Sequence, residues 1–213
     1  MAALKVPSGA PSEVHKLDCL NWPEAWPYKP SVGFRIWHTG DVLHLEYTVD
    51  EQSVRALEGR DGHDVYMDSC VEFFFQPDPA DPHYYNFEFN AAGTMVVSWR
   101  TGRNDPEDAP AEVLASVKRF VGKTDGALVP SVEGSRATFA EKPAEGAWKL
   151  RADIPAAALW RSGLRSFAGL HARGNFYKCG DGLAVPHFIT FAPIDTPKPD
   201  YHRPEFFTEI VFE

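Results

Sequence analysis

The chain has 213 residues, 44% of them hydrophobic and 13% aromatic, which is enough for one substantial core, and its formal net charge is −9. That acidic balance, with no basic stripe, excludes a surface built to neutralise nucleic-acid phosphates, and no apolar run approaches the length of a membrane span. Eighteen prolines and sixteen glycines, scattered without a repeat, indicate many turns between short elements and hence a single all-β domain over residues 1–213.

Residues 1–17 read as an extended N-terminal arm. They lack the basic start and apolar centre of a secretion signal, so the chain is expected to be cytoplasmic as it stands, or secreted if a leader has been removed. Residues 18–30 form a proline-fixed lead-in whose Trp22 and Trp26 are expected to pack over an edge of the core. Strands follow at 32–37 and 43–49, joined by a turn at Gly40-Asp41. In the second of these, Leu43, Leu45, Tyr47 and Val49 face the core, while His44, Glu46 and Thr48 face solvent. Residues 51–57 suit a helical turn. In the loop that follows, Asp61, Asp64 and Asp68 offer carboxylates to calcium, although their spacing is not that of the twelve-residue calcium loop. Calcium is therefore the only candidate ion, and no cofactor is expected.

Residues 68–90 are the most informative. In DSCVEFFF, Ser69, Val71, Phe73 and Phe75 point one way and Asp68, Cys70, Glu72 and Phe74 the other. In YYNFEFN, Tyr85, Phe87 and Phe89 oppose Tyr84, Asn86, Glu88 and Asn90. The linker QPDPADPH returns the chain antiparallel. Acids and amides thus share one side of a hairpin with Cys70, Phe74 and Tyr84. Such a face is either solvated, as in many antiparallel sheets, or a half-buried site for a neutral ligand with many hydroxyls.

A further strand at 94–100 sets Met95, Val97 and Trp99 against Arg100. A polar loop follows at 101–111, then short strands at 112–121, 136–140 and 148–154, and a brief helical turn in IPAAALW. In RGNFYKCGDG, Asn175, Tyr177 and Cys179 oppose Phe176 and Lys178, before a turn at Gly180-Asp-Gly182. His187 leads the strand PHFITFAPI and reads as a packing histidine. Prolines around His202 and Arg203, within residues 197–207, hold that loop in place. Cys19, Cys70 and Cys179 are odd in number, far apart and outside any CxxC pair. Reduced packing thiols are expected, with no zinc site signalled.

Taken in order, DSCVEFFF, YYNFEFNAAGT, NFYKCGDG, PHFITFAPI and PDYHRPEFF resemble the stand-alone, bacterial family 9-like carbohydrate-binding proteins. These are distant relatives of the family 9 modules attached to xylanases. The resemblance runs over about residues 22–212. It implies an antiparallel β-sandwich, immunoglobulin-like or jelly-roll-like, that binds a mono- or oligosaccharide without catalysis. The xylanase-linked modules hold a terminal sugar between two tryptophans. Here Trp99 suits one place, and Tyr177, Phe206 or no residue fills the other. The candidate ligand-binding set is Glu72, Asn86, Glu88, Asn90, Trp99, Arg100, Asn175, Tyr177, Lys178, His202 and Arg203.

Three other readings stay open. Lys178 or Arg203 neutralises Glu72 and Glu88 in an internal ion network. Glu72 and Glu88 act as the acid/base pair of a glycoside-processing enzyme. Least of all, the sandwich holds haem between a methionine and a histidine, with Met67 and His63 among the candidates.

Overall fold

The computed structural model describes residues 2–213 and resolves the alternating pattern into fourteen strands. They are β1 (Leu4–Val6), β2 (His15–Lys16), β3 (Ser31–His38), β4 (Val42–Ala56), β5 (Cys70–Gln76), β6 (Tyr84–Asn90) and β7 (Met95–Arg100), followed by β8 (Glu107–Asp108), β9 (Lys118–Lys123), β10 (Val129–Pro130), β11 (Phe139–Pro155), β12 (His171–Cys179), β13 (Phe188–Thr190) and β14 (Thr208–Phe212). One sheet runs β1-β14-β12-β5-β6-β7-β8, with β13 also paired to β12; the other runs β10-β9-β11-β4-β3-β2. Among the strands described, β1 and β14 alone pair in parallel, and an isolated parallel bridge joins Ser8 to His38. The two sheets form an antiparallel β-sandwich with a few short helical turns. Among the described residues no helix is long and apolar enough to cross a membrane.

The main core lies between the sheets, where period-two alternation puts it. Val71, Phe73, Phe75, Tyr85, Phe87 and Phe89 from the first sheet meet Phe34, Ile36, Leu45 and Tyr47 from the second. Phe34 stacks on Phe176 across the interface, with ring centroids 4.1 Å apart. Each such buried aromatic ring contributes about 1.5–3 kcal/mol by leaving water.

Several local expectations are corrected. Residues 51–57 are not a helical turn, because β4 continues to Ala56 along β11, which at 17 residues is longer than the 15 of β4. A register shift between Pro143 and Gly146 absorbs the mismatch. A Cβ at Gly146 would lie 1.7 Å from the Glu51 carbonyl oxygen, so only glycine fits that approach. The strand expected at 112–121 begins instead as α1 (Ala111–Ser116), in which AEVLAS follows Pro110 and contains good helix formers. The arm is not free along its length: β1 adds to the edge of the first sheet and buries Val6 completely.

One polar cluster ties the sheets together. Glu51 on β4 lies 2.8 Å from the Lys178 ammonium on β12, and both side chains are fully buried. The same ammonium lies 2.7 Å from His187 Nε2 and donates to the Cys179 carbonyl, while Trp148 Nε1 donates to Glu51 at 2.6 Å. Burial alone would raise the Glu51 carboxyl, but the Lys178 ammonium above all holds it down at about 2. Burial, reinforced by Lys178, lowers the His187 pKa, so the ring is neutral and its Nε2 accepts from the ammonium.

Truncating one partner of this pair strands the other charge in the interior. Lys178→Met is expected to cost about 3–5 kcal/mol, seen as a lowered urea midpoint. Adding Glu51→Gln, which keeps the acceptor for Trp148, should recover most of that loss. A double variant as unstable as Lys178→Met would show that charge pairing is not what Lys178 supplies.

Candidate functional site

The outer face of the first sheet is not open to water. Segments 18–30 and 180–207 lie over it, and a second apolar cluster fills the gap with Trp22, Cys70, Phe74, Tyr84, Tyr177, Cys179 and Tyr201. Every residue of β5 and β6 is consequently buried, on both faces. The solvated-face reading of Glu72 and Glu88 is overturned.

The cover leaves one recess over β5 and β6, of about 600 Å³, and Glu72, Asn86 and Glu88 reach its floor. Glu72 and Glu88 are direct cross-strand partners, as are Asn86 and Ser98. Trp26 and Phe188 form an aromatic wall, packed edge to face at 5.4 Å. Arg100 and Arg103 border the β7 side, and Tyr66, Asp181, Lys198, Tyr201 and His202 are among the other residues of the rim.

A run of hydrogen bonds fixes the floor. The Arg100 guanidinium donates to Ser98 Oγ through Nε at 2.8 Å and Nη2 at 2.6 Å, and Ser98 Oγ donates in turn to Asn86 Oδ1. Asn86 Nδ2 donates to Glu88 Oε1 at 2.6 Å. The Cys179 thiol donates to Glu72 Oε1 at 3.0 Å. None of these contacts places a cation on either carboxyl.

Their titration follows. Burial, with Glu88 as like-charged neighbour, pushes Glu72 well above the usual carboxyl range. Burial raises Glu88 to about 7 against the pull of Asn86 and Arg100, and raises Asp181 to about 6. Burial, helped by Arg100 and Arg103, pushes His202 down to about 3, so this ring is neutral beside the Tyr84 hydroxyl at 2.9 Å. At neutral pH Glu72 keeps its proton and Glu88 is shared between its two forms, so the floor offers groups that both donate and accept, beside the Arg100 guanidinium.

The model of carbohydrate-binding family 9 matches residues 8–212 of this sequence. The chain belongs to that family. A crystal structure from Bacteroides uniformis, provisionally described as a carbohydrate-binding protein, is 36% identical, covers 99% of both chains and superposes with a TM-score of 0.87. A family 9 module of Caldicellulosiruptor kristjanssonii solved with glucose shares the fold at 11% identity and TM-score 0.59, over 100% of this chain and 96% of that one. The same organism's module with cellotriose gives 11% identity, TM-score 0.54, and coverage of 100% and 94%. No curated protein matches.

Of the residues expected to contact ligand, this family 9 chain brings Glu72, Asn86, Glu88, Arg100 and His202 to the recess. The other six lie elsewhere. Trp99 is on the inner face with Met95 and Val97, stacked on His83 at 3.7 Å. Asn90 clasps the turn before β7, donating to Asp68 and the Glu58 carbonyl and accepting from the Ala92 and Thr94 amides. Asn175 likewise binds the backbone of Ala192 and Phe176. Tyr177 is fully buried beneath Tyr201, with ring centroids 4.2 Å apart. Lys178 serves Glu51 between the sheets, and Arg203 pairs with Glu205 at 3.0 Å. The alternative ion network, in which Lys178 or Arg203 neutralises Glu72 and Glu88, is therefore absent among the described residues. Phe206 packs against the outer apolar cluster.

The three aspartates expected to offer calcium ligands do not converge. Asp61 sits between Arg119 and Arg136 at 2.9 and 2.8 Å, and Asp68 binds Arg55 and the amides of Leu57 and Glu58. Asp64 alone of the three borders the recess, and neither His63 nor Met67 does. Trp26, Tyr66, Arg103 and Asp181 are recess residues that sequence reasoning missed. Asp181 stood in a visible glycine turn, and Trp26 in a lead-in whose rings signalled packing.

The buried acids set a pH dependence. In the fold both floor carboxyls hold protons that the unfolded chain releases near 4.5, so stability falls as pH rises from about 4.5 through 7. Glu72→Gln mimics the protonated acid. It is expected to raise the melting temperature by several degrees at pH 7.5 and to change it little at pH 4. Equal shifts at both pH values would contradict a proton held on Glu72.

Proposed function

We propose that this chain binds a mono- or oligosaccharide in the recess over β5 and β6, without catalysis. The observation that carries the reading is the lining of that recess, which brings Glu72, Asn86, Glu88 and Arg100 together with the indole of Trp26. A sugar presents hydroxyl pairs and a flat carbon–hydrogen face, and these need paired hydrogen-bonding groups and an aromatic surface. Hydrogen bonds between neutral groups contribute roughly 0.5–1.5 kcal/mol each, and those from the Arg100 guanidinium more, before ordering is subtracted, so several together suffice for modest affinity. Family membership, and relatives solved with glucose and cellotriose, point the same way.

Binding is favoured over glycoside hydrolysis by the placement of the two acids. A glycosidase sets its carboxyls on opposite sides of a scissile bond, roughly 5–9.5 Å apart. Glu72 and Glu88 are neighbours on one floor, joined by strand register. A bound sugar lies above both.

A glycan screen followed by calorimetry tests the reading. Glu88→Ala and Trp26→Ala are each expected to weaken a screened ligand at least about tenfold, the effect of losing about 1.4 kcal/mol. Arg203→Ala should leave affinity unchanged, and incubated oligosaccharides should be recovered intact. Normal affinity in Glu88→Ala and Trp26→Ala would remove the recess as the binding site, and released product would replace the binding module with an enzyme.

A further inference from the structure

The pairing of β12 with β5 sets Cys179 directly opposite Cys70, and Tyr177 opposite Glu72. Two thiols distant in sequence thereby become neighbours, with a carboxyl beside them. The sulfurs of Cys70 and Cys179 and an oxygen of Glu72 all lie within 4.8 Å of one another. Among the described residues no other three histidine, cysteine, aspartate or glutamate groups converge so closely. All three side chains are buried, yet Glu72 and Cys179 border the recess, so the cluster has a route to solvent.

We infer that Cys70, Cys179 and Glu72 form a binding site for a thiophilic divalent cation, zinc by preference, at the base of the recess. Two sulfurs and one oxygen are a borderline-soft donor set. Calcium and magnesium take six or more oxygens, whereas zinc takes four ligands with sulfur favoured. In a tetrahedral zinc site with zinc–sulfur bonds of about 2.3 Å, the sulfurs stand roughly 3.8 Å apart. Small side-chain rotations close that gap here. The ion enters hydrated. Each thiol gives its proton to solvent as its sulfur takes the metal, and Glu72 does the same. Two thiolates and one carboxylate then offset the double charge. The fourth position opens toward Glu88 and the recess, where water or a ligand oxygen completes the shell, as in zinc sites that keep one exchangeable place.

The site stands on strand register and donor chemistry and does not rest on the saccharide reading. Its test uses cobalt(II) as a spectroscopic substitute, added to the reduced full chain with no sugar present. One equivalent is expected to give sulfur-to-cobalt charge-transfer absorption and the intense visible bands of tetrahedral cobalt, with zinc displacing it. Cys19→Ser should keep the spectrum. Cys179→Ser, checked for folding by circular dichroism, should lose the charge-transfer band. Glu72→Gln, which leaves both thiols, should weaken cobalt at least about tenfold. Reduced protein that shows only six-coordinate cobalt, or bands that survive in Cys179→Ser, would overturn the site. Calorimetry with sugar on metal-free protein fails or succeeds independently of these results.

Discussion

Burial of the first sheet on both faces is the constraint from which the rest follows. A sheet in a sandwich ordinarily shows one face to the core and one to water. Here β5, β6 and the end of β12 are sealed on the outside by segments rich in proline and aromatic residues. Every polar group on that outer face must then find a partner or stay neutral, because an uncompensated buried charge costs several kcal/mol. Asn90 and Asn175 meet the demand by binding backbone, and Asn86 meets it by bridging Ser98 and Glu88. What remains over the floor is the recess.

The two faces of this sheet solve the problem of a buried acid in opposite ways. On the inner side the Lys178 ammonium of this sheet meets Glu51 of the other, which stays ionised with its pKa at about 2. On the outer side Glu72 and Glu88 meet each other, and burial plus mutual repulsion favours the protonated form. The first arrangement fixes how the sheets sit. The second gives up stability at neutral pH and keeps two carboxyl groups facing a cavity, a pattern more characteristic of sites than of scaffolds.

Local alternation made half of the site legible. Because the strand period is two, the order DSCVEFFF and YYNFEFN was enough to put Glu72, Asn86 and Glu88 on one face, opposite the core phenylalanines. The same rule also held the answer for two residues that were misplaced. Trp99 alternates with Met95 and Val97, and Lys178 with Phe176, so both belong to the inner face by their own strands' patterns. Chemical suitability for a sugar outweighed that signal. Asn90 sits just before the turn at Gly93, whose φ of 79° marks a tight return, and there an asparagine serves the backbone. What covers the floor was not legible, because Trp26, Tyr66 and Asp181 come from loops whose path over the sheet depends on long-range packing. The helix at 111–116 was missed where apolar periodicity was too short to separate helix from strand.

Protonation also shapes what the floor can recognise. A protonated Glu72 carries one donor and acceptor capacity, as the carboxamide of Asn86 does, so neighbouring positions present similar mixed functions. Such a surface matches hydroxyl groups, which donate and accept at the same atom, and it does so without the desolvation cost of burying two carboxylates. Arg100 is oriented onto Ser98 at the β7 edge of the recess, close enough for its charge to oppose the rise of the Glu88 pKa without pairing with either acid.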